Sequence, residues 1–171
     1  MRILAHAVSR PKWEQRPDFA EDEIPADTLT KELRTDENDL SFWEFGDDEE
    51  HRWEDAVLAI SSKRERLDLI DLVWIEREAV AAAGISLVST PGDTPVADLR
   101  SRHTDAQRLD AYRLVTIAEL ILKEMRLGRR VRRLSVAQVR SLIAKAIEGK
   151  RVSPADLSPK LLAALDSGAA I

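Results

Sequence analysis

The chain has 171 residues, a formal net charge of −5, 44% hydrophobic and 33% charged residues, and no cysteine. That length suits one domain, with room for a small appendage, and it buries enough surface to need no covalent staple. The absence of cysteine excludes disulfides, thiolate metal ligands and a cysteine nucleophile, and no run approaches the roughly 18 uninterrupted apolar residues of a membrane span.

Met1 to Val8 is short and aliphatic and predicts a first strand. Its apolar run is broken by His6 and is too short for a signal peptide, so the expected setting is cytoplasmic. Ser9 to Pro25 is polar, holds three of the seven prolines, and predicts a long loop pinned by Trp13 and Phe19. Pro25 to Arg34 predicts a short helix with Leu29 and Leu33 on one face. Turn chemistry follows from Thr35 to Asp39. Leu40 to Phe45 then alternates: Leu40, Phe42 and Glu44 face one way, Ser41, Trp43 and Phe45 the other. Aromatic residues favour a strand there, and Gly46 ends it.

Asp47 to Ser61 predicts a helix that buries Trp53, Ala56, Val57 and Ile60 at i, i+3, i+4, i+7 spacing. Leu67 to Ile75 predicts a central strand, with Asp71 on the same face as Val73 and Ile75. A short helix stopped by Gly84 follows, and then a strand from Ile85 to Ser89. Thr94 before Pro95 has the form of an N-cap with proline at the first helical position. It predicts a long helix running to about Met125. The capping-box pattern from Ser135 to Gln138 opens another helix, with Val136, Val139, Leu142, Ile143, Ala146 and Ile147 on one stripe. Ser153-Pro154 and Ser158-Pro159 start short helical segments, the second carrying Leu161, Leu162 and Leu165.

Strands first and helices later predict an α+β fold, with a small mixed sheet of about four strands in the first half and a helix-rich C-terminal half. The expected organisation is an α+β domain over residues 1–127. A basic linker and small helical tail over 128–171 either packs on that domain or stands apart.

Charge is uneven along the chain. Asp18 to Asp55 holds 16 acidic residues against Lys31, Arg34 and Arg52, whereas Lys123 to Arg151 holds ten basic residues against Glu124 and Glu148. Such asymmetry points either to charged partners or to neutralisation within the molecule. The acidic stretch carries tryptophans. It suggests a cytoplasmic protein-interaction module of the inhibitor, immunity or assembly-subunit type. Trp43, Asp47, Asp48, Glu49, Glu50 and Trp53 would meet a partner protein with a basic surface. The same carboxylates also suit the positive end of a helix dipole, and the tryptophans suit a core.

Two alternatives stand beside this reading. Arg126, Arg129, Arg130, Arg132 and Arg133 suit phosphate contacts with nucleic acid, although the helices that follow lack a recognition helix's polar face. The loop from Ser89 to His103 joins a strand to a predicted helix start, a place suited to chemistry. Its candidate catalytic residues are Asp93, Asp98 and His103. Neither a phosphate-binding loop nor a dinucleotide fingerprint is present; the i, i+4 spacing of Asp47, His51 and Asp55 is compatible with metal ligation, but no HExxH-type pattern occurs, so no cofactor or metal is expected. A homo-oligomer is compatible with the charge layout, and no membrane partner is expected.

Overall fold

A computed structural model describes residues 1–14, 17–20, 22–46 and 53–167 of the chain. Among these, six strands form one sheet: β1 (Arg2–Val8), β2 (Leu40–Gly46), β3 (Ile70–Glu76), β4 (Ser86–Ser89), β5 (His103–Gln107) and β6 (Val131–Leu134). Their order is β4-β5-β2-β1-β3-β6, and every pairing is antiparallel. Seven helices accompany them: α1 (Arg10–Trp13), α2 (Ala26–Glu32), α3 (Trp53–Ser62), α4 (Arg77–Ala82), α5 (Ala111–Leu127), α6 (Val136–Glu148) and α7 (Pro159–Asp166).

Side chains alternate across a strand, so each interior strand serves two cores. Ile3 and Ala5 of β1, Trp43 and Phe45 of β2, and Ile70 and Leu72 of β3 face one way. They pack with Val57 of α3, Val139 and Ile143 of α6, and Leu161 of α7. Leu4 and Val8, Leu40 and Phe42, and Val73 and Ile75 face the other way, against Ile117 and Ile121 of α5 and Val80 of α4. Burial on both faces explains why these strands carry large apolar residues at nearly every position. No helix among the described residues is long and apolar enough to cross a membrane.

The α+β class holds, but the sheet differs from the expected one in size and type. It has six strands rather than about four, and it is antiparallel rather than mixed. The two additional strands, β5 and β6, lie in the half expected to be helical. The Thr94-Pro95 signal does not open a long helix. It leads into a 3₁₀ turn (Ala97–Arg102) that buries Leu99, then into β5. Helix α5 starts later, capped by Asp110, whose side chain accepts from the Arg113 N–H, and ends at Gly128 with φ 63°. The basic stretch is also partly strand: β6 pairs with β3, and Leu134 joins the same buried cluster as α6 and α7. The capping box at Ser135 forms as the sequence predicts. The segment read as a loop after β1 contains α1, whose Trp13 is buried.

Candidate functional site

Strands β2 and β5 place Trp43 opposite His103 and Ser41 opposite Asp105. Directly opposed side chains on one face of an antiparallel pair are close neighbours. The Trp43 and His103 rings meet edge to face, with centroids 5.2 Å apart. Ser41 Oγ donates to Asp105 Oδ1 at 2.9 Å. The loop leaving β4 then closes over this four-residue floor. Thr90 Oγ1 donates to Asp105 Oδ2 at 2.6 Å and also lies 2.9 Å from His103 Nδ1.

A hydroxyl has one proton, and here it goes to the carboxylate. Thr90 therefore accepts from His103, which fixes the imidazole as the Nδ1–H tautomer. Nε2 keeps its lone pair and lies 3.8 Å from Asp105 Oδ1, beyond hydrogen-bond length. Burial lowers the His103 pKa from its ordinary value, outweighing Asp105 and Thr90, which raise it. His103 is thus neutral near pH 7.

Gly92 packs its backbone on this floor. A Cβ added there would sit 2.6 Å from Trp43 Cη2 and 2.8 Å from His103 Cβ. The Gly92 N–H donates to the Arg100 carbonyl at 2.8 Å, which ties the loop to the 3₁₀ turn.

Around this floor lies a cleft of about 500 Å³. Ala59 and Ile60 of α3 form one wall, with Lys63 beyond the helix end. Asp36, Glu37 and Asp39 stand at the lip. They belong to a tight turn in which Asp36 and Asp39 exchange both backbone hydrogen bonds, at 3.1 and 2.8 Å. Glu37 and Asn38 between them have φ of 52° and 68°, the left-handed pair of a type I′ turn. Asp39 Oδ1 accepts from the Arg108 N–H at 3.0 Å, which anchors the turn to the end of β5. Lys63 pairs with Asp93, and that contact holds the Asp93 pKa below the usual carboxylate range. Among the described residues, five carboxylates thus line the cleft against a single lysine, beside a neutral histidine. Among the described residues, no three His, Asp or Glu side chains are grouped to hold a metal ion.

The residues singled out from sequence fall as follows. Trp43 is buried at the cleft floor, and Trp53 is half-buried against the core. Asp47, Asp48, Glu49 and Glu50 lie outside the described residues. Asp93 and His103 line the cleft together, whereas Asp98 does not and binds Arg151 Nη2 at 2.7 Å. His103 sits on a strand, not on the expected helix.

The basic residues are divided. Arg130 binds Glu76 at 2.7 Å and Glu124 at 3.4 Å, and Arg133 binds Asp71. Arg132 lies over the Trp74 ring, 5.6 Å from its centroid. Arg126 and Arg129 are exposed. Sequence reasoning passed over Ser41 and Lys63 as cleft residues, together with the acidic lip, whereas Thr90 lay in the loop it singled out and Asp105 just beyond it. The usable signal was the period-two spacing of His103 and Asp105, once that segment is read as a strand. A comparison with known protein families, characterised proteins and solved structures finds no match.

Proposed function

We propose that the chain is a protein-interaction module, of the inhibitor, immunity or assembly-subunit type, whose acidic cleft receives a lysine- or arginine-bearing segment of another protein. The observation that carries this reading is the excess of carboxylates in a concave site floored by Trp43 and His103. Carboxylates steer a cationic partner toward the site, and an aromatic floor suits the apolar stem or the flat guanidinium of its side chain. A cytoplasmic setting belongs to the same proposal and rests on the cysteine-free sequence.

The test uses a short arginine-rich peptide and an acidic peptide of equal length, with tryptophan fluorescence and calorimetry as readouts. The cationic peptide should bind, more weakly as salt rises, and the acidic one should not. Asp36→Lys with Glu37→Lys should weaken binding by about tenfold or more, because both side chains are exposed at the lip and their loss leaves the core intact. Equal affinity for the double variant would remove the reading.

A further inference from the structure

The face of the sheet opposite the acidic cleft carries a second concavity, of about 530 Å³, built with the opposite charge. It follows from strand alternation. On β2, Trp43 faces the acidic cleft and Glu44 faces the other side; on β5, His103 faces the cleft and Thr104 the other side. Glu44 lies at the floor of this second site, its side chain only 16% exposed. Arg2 Nη1 donates to Glu44 Oε1 at 3.0 Å, and Arg77 Nε and Thr104 Oγ1 donate to Oε2 at 3.1 and 3.0 Å. A third guanidinium, Arg102, lines the same cup with the Ser101 hydroxyl beside it.

Among the described residues, Glu44 is the only carboxylate lining the cup and faces three guanidiniums, two positive charges in excess of it. Arg102 is half-buried and has no hydrogen-bond or ion-pair partner among the described residues. A charge partly removed from water without a partner is costly, and an arriving anion relieves that cost. Arginine forks and hydroxyl donors match the several acceptor oxygens of a tetrahedral oxyanion, and two excess charges match a dianion. The cup is of ordinary small-ligand size, and its lining is more polar than apolar, so the charged group rather than an apolar body would supply most of the recognition.

We propose that this cup binds the phosphate group of a small phosphorylated molecule. Glu44 holds Arg2 and Arg77 in place, and Arg102 supplies the free fork. The site is separate from the acidic cleft, and its occupancy needs none of the cleft residues.

The test is titration of the full chain with inorganic phosphate and, separately, acetate, followed by calorimetry and backbone amide NMR. Phosphate should produce saturable shifts at Gly46, Ser101 and Thr104, and acetate should bind at least about tenfold more weakly. Arg102→Ala should weaken phosphate binding by about tenfold while leaving the melting temperature nearly unchanged, since Arg102 makes no hydrogen bond or ion pair among the described residues. Arg66→Ala, at an exposed arginine outside the cup, should leave binding unchanged. The proposal is overturned by absence of saturation with phosphate, by equal binding of acetate, or by an Arg102→Ala variant that binds as tightly as the parent.

Discussion

Asp71 and Arg133 stand directly opposite each other on β3 and β6, and the guanidinium grips the carboxylate through Nε at 2.7 Å and Nη2 at 2.9 Å. The Arg10 N–H adds a third hydrogen bond at 3.1 Å. Asp71 is 2% exposed, in a strand that is otherwise apolar. One buried carboxylate thereby ties the edge strand, β3 and the start of α1 together. Burial by itself would raise the Asp71 pKa, but the hydrogen bonds from Arg133 and Arg10 reverse that and hold it below its ordinary value. A depressed carboxylate stabilises the fold at pH values above its unfolded pKa, about 3.9, and that stability is lost as pH falls through the lower folded value. Asp71→Asn should cost about 2 kcal/mol at pH 7 through weakened charge-assisted bonds. The difference in melting temperature between parent and variant should shrink below about pH 4. A difference that stays constant down to pH 2 would contradict this account.

Gly92 sets how closely the loop lies on the aromatic pair. The two shortest contacts that an added Cβ would make, to Trp43 Cη2 and His103 Cβ, are shorter than real Cβ atoms show. Trp43 is buried and cannot swing away freely, so the loop must lift. Gly92→Ala should destabilise the protein by about 1–3 kcal/mol, the usual cost of overpacking. It should also separate Thr90 from Asp105 and shift the Trp43 indole resonance. A normal melting temperature with an unshifted indole signal would show that the loop yields without cost.

Much of this fold is legible in the sequence. The runs Ile3 to Val8, Leu40 to Phe45 and Leu67 to Ile75 announce themselves because both of their faces are buried. Strands β5 and β6 do not. In HTDAQ only Ala106 is a buried apolar residue, because His103 and Asp105 face a polar cleft. In VRRL the two arginines resemble a solvated linker. Their partners, Trp74 and Asp71, lie about 60 residues away on β3 and become visible only once the strands pair. Asp71 within LDLIDLVWI did carry a signal, since a carboxylate in a buried strand requires a cation. The cleft was partly legible for the same reason that the long helix was not. The Ser89–His103 segment draws attention through its turn residues, but the cleft it closes is built by Asp105 and Ser41 meeting across a strand pair that the helix-start signal conceals.

Ser135 tests how far the β6–α6 junction depends on local capping. Its Oγ accepts from the Gln138 N–H at 3.3 Å, and Gln138 Oε1 accepts from the Ser135 N–H at 2.9 Å. Two donors at the helix start are satisfied reciprocally. Ser135→Ala should cost about 1 kcal/mol, or roughly 2–4 °C in melting temperature for a chain of this size. Calorimetry would check it, and an unchanged melting temperature would mean that tertiary packing of Val139 and Ile143 fixes the helix end without the cap.

His6 and His103 make stability depend on pH in a window well above that of Asp71. His6 Nδ1 donates to the Ser41 carbonyl at 2.9 Å, and its Nε2 is buried with no partner among the described residues. Burial lowers its pKa, and the opposing effects of the Ser41 bond and nearby Glu32 do not restore it. His103 is lowered in the same direction by its own burial. A lowered folded pKa means that the unfolded chain takes up protons first as the solution is acidified. Stability is therefore complete above the unfolded histidine value, about 6.5, and declines as pH falls from there toward the folded values. The two histidines act on the same strand: Ser41 holds His6 through its carbonyl and Asp105 through its hydroxyl, and Asp105 holds Thr90 against His103. Protonation at Nε2 leaves both Nδ1–H bonds in place, and the cost is that of a buried charge. The melting temperature should fall between pH 7 and pH 5, and His6→Gln with His103→Gln should flatten that slope while leaving the acid transition of Asp71 in place. A slope between pH 7 and pH 5 that survives both substitutions would assign the effect to other groups.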